Sequence, residues 1–262
     1  MYNTPTFSSR SELQAYIKQH PNTSSIHLSN WAAEPFDDLL SENIKILHVA
    51  ESELPEEPLP KSLDTLYLYN CSTKTVILPS SLKGFFAVDC PNLQPGNNLP
   101  QSLLDLRIVN CEQFDGFTAN LPLLSYLHIT NCPNFHQTPE TWPAKLTRIE
   151  IRQCPKFSAM PMAWPKDLSD LAITDCPKLK IIPREWPYGL HKLDLRGCSN
   201  LSFPYEWPIH LREANLLGCY KLEHLPNTML QKAAEGNLKL EYSQKLTDTT
   251  QTQEICTTRS QE

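Results

Sequence analysis

Residues 190–201 read LHKLDLRGCSNL, and residues 168–179 read LSDLAITDCPKL, the same skeleton 22 residues earlier. A reactive thiol is needed once, so a cysteine that returns with its leucines points to architecture. Eight of the nine cysteines, Cys71, Cys90, Cys111, Cys132, Cys154, Cys176, Cys198 and Cys219, stand 19 to 22 residues apart. Aligned on them the chain reads LDTLYLYNC, LKGFFAVDC, LLDLRIVNC, LSYLHITNC, LTRIEIRQC, LSDLAITDC, LHKLDLRGC and LREANLLGC. The shared rule is L-x-x-L-x-L-x-x-C, an internal repeat of solenoid period. Two earlier turns keep the register, through Ile44, Leu47 and Val49 before Ser52 and through Ile26 and Leu28 before Trp31. Leu238 and Leu240 open an eleventh, incomplete turn.

Within each unit the x-L-x-L-x stretch alternates variable and apolar residues, the period of a half-buried strand. One turn cannot bury its own leucines, so successive turns must stack as parallel strands about 4.8 Å apart. Prolines such as Pro139, Pro161 and Pro183 follow each strand. They remove amide donors and favour extended backbone, so the far side of each turn is expected to be irregular. Trp142, Trp164, Trp186 and Trp207 each precede a proline 12 residues ahead of the next cysteine, a slot that Leu59, Leu78 and Leu99 fill earlier. Indole in a leucine slot is read as core, because its burial is a large apolar gain. The cysteine slot is read the same way: a small side chain at the strand end that packs and offers a weak S–H donor. Parallel side chains one strand apart hold their Cβ atoms too far apart for an unstrained disulfide, and eight buried thiols imply a reducing compartment.

These motifs, with PREWPYGLHKLDLRGC at 183–198 as the fullest example, resemble leucine-rich repeats over residues 22–243. The short period is similar to the repeats of secreted bacterial effectors of the YopM and invasion-plasmid-antigen type. Asparagine is usual there where cysteine stands here, and the cysteine variant resembles leucine-rich repeats of Legionella effectors. The resemblance implies a horseshoe solenoid of the α/β class, with a parallel concave sheet of about ten to eleven strands, an irregular proline-rich convex side and an N-terminal capping helix. It also implies a binding scaffold. An intracellular receptor fragment or assembly scaffold, of bacterial or plant type, is the alternative.

Three segments follow. Residues 1–21 hold SSRSELQAYIKQH, where Ser9 and Glu12 suit a capping box ahead of Leu13, Tyr16 and Ile17 on one helical face. Residues 22–243 form the repeat domain, closed by a short helix in TMLQKAAEG, 228–236. Residues 244–262, polar and rich in Thr and Gln, are expected to be a disordered tail holding the ninth cysteine, Cys256. MYNTPTFSSR has no basic start and apolar stretch, and no run of 18 apolar residues occurs. The expected location is therefore cytoplasmic; the resemblance to secreted effectors implies the host cytoplasm, after translocation by a specialised secretion system.

The charge of −6 argues against nucleic acid as partner. No H-E-x-x-H, C-x-x-C, G-x-G-x-x-G or phosphate-binding loop occurs, so no catalytic residue, metal ligand or cofactor is assigned. Ligases of the invasion-plasmid-antigen family carry a catalytic domain after their repeats; about 19 residues follow the repeats here, and that activity is not carried over. His27 and His48 lie on the strand face without ligand-spaced partners, and Glu56 and Glu57 read as a solvated pair.

Function must then come from the displayed face, built from residues six, four and two before each cysteine slot. Tyr67, Tyr69, Phe86, Val88, Arg107, Val109 and Tyr126 make an apolar and aromatic cluster there, continued by His128. Arg148, Glu150 and Arg152 begin a mixed-charge stretch able to pair across strands. Outward strand positions are usually polar, so these eleven residues are the candidate contact set for a protein partner, of a host cell in the effector reading. A monomer with no membrane insertion is expected.

Overall fold

The computed structural model describes residues 4–32, 34–35, 39–40, 42–202, 206–222 and 224–243. The tail assigned above, with Cys256, lies outside the described residues. Strand β1 (Thr6–Phe7) and helix α1 (Arg10–Gln19) lead into β2 (Ser25–Ser29), β3 (Ile46–Ala50), β4 (Thr65–Tyr69), β5 (Gly84–Val88), β6 (Asp105–Val109) and β7 (Tyr126–Thr130). Then come β8 (Arg148–Arg152), β9 (Asp170–Thr174), β10 (Lys192–Asp194), β11 (Glu213–Leu216), α2 (Asn227–Ala234) and β12 (Lys239–Tyr242). All twelve strands form one parallel sheet in chain order. The count exceeds the expected ten to eleven because residues ahead of α1 add β1, which pairs with β2.

The register follows the repeat. Leu47, Leu66, Phe85, Leu106, Leu127, Ile149 and Leu171 are successive partners, and all are buried. Slipping one strand by a single residue would turn its leucines outward, which is why the alternation specifies the pairing. Between strands the backbone returns through turns and short bridges, and among the described residues only α1 and α2 are helical.

Ser9 caps α1 by accepting the amide of Glu12. The reciprocal contact expected of a capping box comes from Ser8, whose amide donates to the Glu12 carboxylate at 3.3 Å. Leu13 is fully buried, and Tyr16 and Ile17 pack beside it. α2 starts after Pro226 with no side-chain cap and leaves through Gly236 at φ 76°.

The two ladders are also core. Trp142 and Trp164 are buried, whereas Trp186 and Trp207 are half-buried and stack on them in sequence, Trp164 to Trp186 at 6.0 Å and Trp186 to Trp207 at 6.4 Å. All eight repeat cysteines are buried and free. Cys71, Cys90, Cys111, Cys132, Cys154 and Cys176 donate to the carbonyl two residues before them, as Cys154 does to Arg152 at 3.2 Å. Cys198 and Cys219 reach carbonyls one turn back instead, at 3.1 and 3.0 Å. In the first turns Ser52 takes the slot, accepting the Trp31 amide and donating to Ala50.

Candidate protein-interaction surface on the sheet

The outward residues of the sheet form three parallel rows set by the strand register. The central row runs His27, His48, Tyr67, Phe86, Arg107, His128, Glu150, Ala172, Asp194, Asn215 and Glu241. Strand spacing near 4.8 Å is close to the stacking distance of flat groups, so rings in one row fall face to face. His48 stacks on Tyr67 at 4.4 Å and Tyr67 on Phe86 at 4.6 Å. The Arg107 guanidinium lies 5.1 Å from the Phe86 ring and 4.5 Å from that of Tyr126, and Arg148 covers Tyr126 at 5.0 Å. Asp105 holds Arg107 in place by two hydrogen bonds, at 2.9 and 2.7 Å.

The flat faces from Tyr67 to Tyr126 are thus occupied by one another and by guanidinium groups. What this stripe offers to solvent is ring edges, the Tyr67 hydroxyl and Tyr69, which is 42% exposed. Val88 and Val109 extend the apolar strip beside it and are half-buried. Burial raises the Tyr67 pKa, with Tyr69 adding to it. Tyr126 is pushed up to about 12 by burial and by the nearby Glu150 carboxylate.

Glu150 departs from the sequence expectation. It is 6% exposed and meets four partners, so it is a buried hub. Tyr126 and Arg148 donate to its Oε1, at 3.0 and 2.5 Å, and the His128 Nδ1 and Arg152 Nε stand 3.1 and 3.3 Å from Oε2. Hydrogen bonding with His128 first, then Tyr126 and the charge of Arg148, outweighs desolvation and holds its carboxyl well below the usual range. Thr130 closes the cluster against His128 Nε2 at 3.0 Å. The mixed charges beyond do pair across strands: Arg152 Nη1 reaches Asp194 at 3.3 Å, and Lys192 meets Glu213 at 3.4 Å.

All eleven predicted contact residues lie on this one face, within β4 to β8. Sequence reading missed His48 as the first ring of the stack; its signal was the Tyr at the same register position one turn later. It also missed the residue before each slot. Asn30, Glu51, Asn70, Asp89, Asn110, Asn131, Gln153 and Asp175 all have φ between 49° and 55°, the left-handed region that Asn and Asp tolerate best. Three of them form a side-chain ladder along the rim, Asn131 donating to Asn110 and Asn110 to Asp89. The recurring N/D before cysteine was the available signal.

No protein-family model matches the chain, and no curated protein matches it in sequence. Among solved structures, the leucine-rich repeat domain of the type III effector XCV3220 (XopL) superposes with a TM-score of 0.57 at 19% identity, over 88% of this chain and 80% of that one. CroV588, a circular leucine-rich repeat protein, superposes with a TM-score of 0.60 at 19% identity, over 84% of this chain and 33% of that one. The fold is a leucine-rich repeat solenoid. YopM from Yersinia enterocolitica, 18% identical over 89% of this chain and 66% of that one, superposes with a TM-score of only 0.29. In this leucine-rich repeat solenoid the sheet lines the concave face and the proline-rich turns the convex one. No helix among the described residues is long and apolar enough to cross a membrane.

Proposed function

We propose that this protein is a non-enzymatic interaction scaffold that binds a partner protein through the concave sheet, with Tyr67, Tyr69, Phe86 and Val88 as anchor and Arg107, Val109, Tyr126 and His128 beside it. The observation that carries the reading is the continuous stack from His48 to Tyr126, which places a rigid, half-exposed aromatic strip on a face whose outward positions become mostly charged from β8 onward. Rigid aromatics lose little entropy on binding and dominate interface energetics. Within that reading the chain acts as a monomer of the secreted-effector kind, made in a bacterial cytoplasm and delivered to a host cell, where the partner resides. The likeness to the repeat domain of a type III effector supports this.

Affinity capture from host lysate followed by binding measurements with the purified partner tests the proposal. Tyr67→Ala with Phe86→Ala should abolish binding, because central aromatics commonly contribute about 2 kcal/mol or more each. The convex prolines Pro161 and Pro183 are themselves buried, but Met162 and Ile181 beside them are 64% and 60% exposed. Binding that survives loss of both aromatics and fails on Met162→Asp with Ile181→Asp would move the contact to the convex side.

A further inference from the structure

The two ends of the solenoid are finished differently. Helix α1 closes the first turn, where Leu13 is fully buried. In the last turn Leu225, Ala233, Leu240 and Tyr242 are only partly buried and Leu230 is 37% exposed. β12 ends the sheet, so among the described residues its outer edge is unpaired. The sequence after Ser243 offers little to cover that end, because Leu246, Ile255 and Cys256 are its only apolar residues.

Pairing with β11 fixes which backbone groups of β12 are free. The Lys239 amide donates to the Arg212 carbonyl at 2.8 Å, so the backbone groups of Lys239, and two residues on those of Glu241, face β11. Those of Leu240 and Tyr242 alternate with them and face the open edge. The side chains alternate too, with Lys239 and Glu241 on the concave face, 3.7 Å apart, and Leu240 and Tyr242 packed against the core. A second β12 laid antiparallel about a two-fold axis through Leu240 satisfies every one of these groups. The two Leu240 residues become a mutually hydrogen-bonded couple on the axis, and Tyr242 of each copy stands across from Leu238 of the other. Lys239 of each copy stands across from Glu241 of the other, at the non-hydrogen-bonded sites where side chains are closest. Moving the axis to Lys239 or Glu241 would set like charges together and turn the free amides away.

We propose that β12 is a self-complementary edge through which two copies of this chain pair antiparallel, their sheets joined across a two-fold axis at Leu240. Hydrogen-bond phase, charge and apolar match coincide at that one register, and a long unpaired edge is otherwise an aggregation hazard. A two-fold contact uses the same surface on both copies, so association closes at two chains. β12 is only four residues long, so the contact is small and the pairing reversible. The monomer of the reading above is then the dilute state. The inference goes beyond that reading and leaves its surface free: in the pair each copy keeps its own stack from His48 to Tyr126, eight strands from the axis strand at its nearest ring.

Sedimentation equilibrium of the full chain at rising concentration tests it, in reducing buffer so that Cys256 cannot link copies. The mass should climb from one chain towards two, and exchange of the Leu240 amide should slow in step. Lys239→Glu and Glu241→Lys each set like charges across the axis twice, and each should weaken association roughly tenfold. An equimolar mixture of the two variants should restore it, because each supplies the charge that the other lacks. Lys239→Glu changes an exposed side chain and carries the test by itself should Glu241→Lys, which also loses the hydrogen bond from Asn215, fold poorly. Tyr67→Ala with Phe86→Ala should associate as the parent does, so failure of the edge and failure of the aromatic anchor are read separately. A mass that stays at one chain up to the solubility limit, growth beyond two chains, association indifferent to Lys239→Glu, or a mixture no stronger than its components would overturn the pairing.

Discussion

Phe86 lies over the bare backbone of Gly84 in its own strand: a Cβ at Gly84 would stand 2.7 Å from Phe86 Cε2 and 3.2 Å from Thr65 Cγ2. Gly84 thereby makes room for the ring that joins Tyr67 to Arg107. In Gly84→Ala the backbone should gain slightly from the loss of glycine's freedom, by roughly 0.5–1 kcal/mol. The movable ring of Phe86 should swing away. Proton ring-current shifts of Tyr67 and Phe86 should change and partner binding weaken, with the melting temperature nearly constant; unchanged ring-current shifts would mean that Gly84 does not set the stack.

Glu150 ties acid stability to the site. Its folded-state pKa is depressed, so its contribution is fully present above the unfolded carboxylate value, about 4.3, and is lost as pH falls through the folded value below it. Glu150→Gln should cost roughly 1–3 kcal/mol at pH 7, the range for leaving buried donors poorly satisfied. The partial exposure of Arg148 and Arg152 keeps this below the cost of a fully buried pair. Urea denaturation at several pH values checks it: the variant's stability should fall less steeply between pH 5 and pH 2 than that of the parent.

His48 acts in a higher window. Burial, then the neighbouring charge of His27, lowers its pKa from the ordinary 6.5. The fold favours the neutral ring, so stability is complete above about 6.5 and declines as pH falls through the lowered folded value. His48→Phe keeps a flat ring against Tyr67 and removes the titration. Melting curves from pH 8 to pH 5 should show a smaller decline in the variant; equal declines would assign the effect elsewhere.

The cysteine slot makes a prediction about size, charge and reactivity. Burial pushes the Cys154 thiol up to about 11 and that of Cys132 up to about 12, which suppresses the reactive thiolate at neutral pH. Cys154→Asp should cost about 3–5 kcal/mol, as for an uncompensated buried charge. Cys154→Ser should cost about 1 kcal/mol, because the hydroxyl can still donate to the Arg152 carbonyl, as Ser52 does to that of Ala50. In native protein an Ellman-type reagent should label Cys256 quickly and the eight repeat thiols only on unfolding. Fast labelling of several thiols without denaturant would disprove the buried ladder.

Much of the candidate interaction surface is legible in the sequence, because a parallel ladder in constant register turns sequence position into spatial row. The cysteine spacing alone makes Tyr67, Phe86 and Arg107 neighbours. That Arg107 lies flat between Phe86 and Tyr126 is a side-chain choice, made by its two hydrogen bonds to Asp105.

The repeat alone determined the solenoid, the inward and outward sets and the buried cysteines, since each turn contacts only its neighbours and identical turns meet identical constraints. Tertiary structure decided which charges are hidden and which pair directly. Glu150 looks on paper like one more surface acid between two arginines. It is buried because Tyr126 and His128 come from the adjacent strand to meet it. Asp170 looks equally ordinary and makes no direct ion pair among the described residues, because Arg148, opposite it in register, turns to Glu150. Such choices depend on side-chain rotamers competing for the same partners across several strands, and no period in the sequence encodes the outcome.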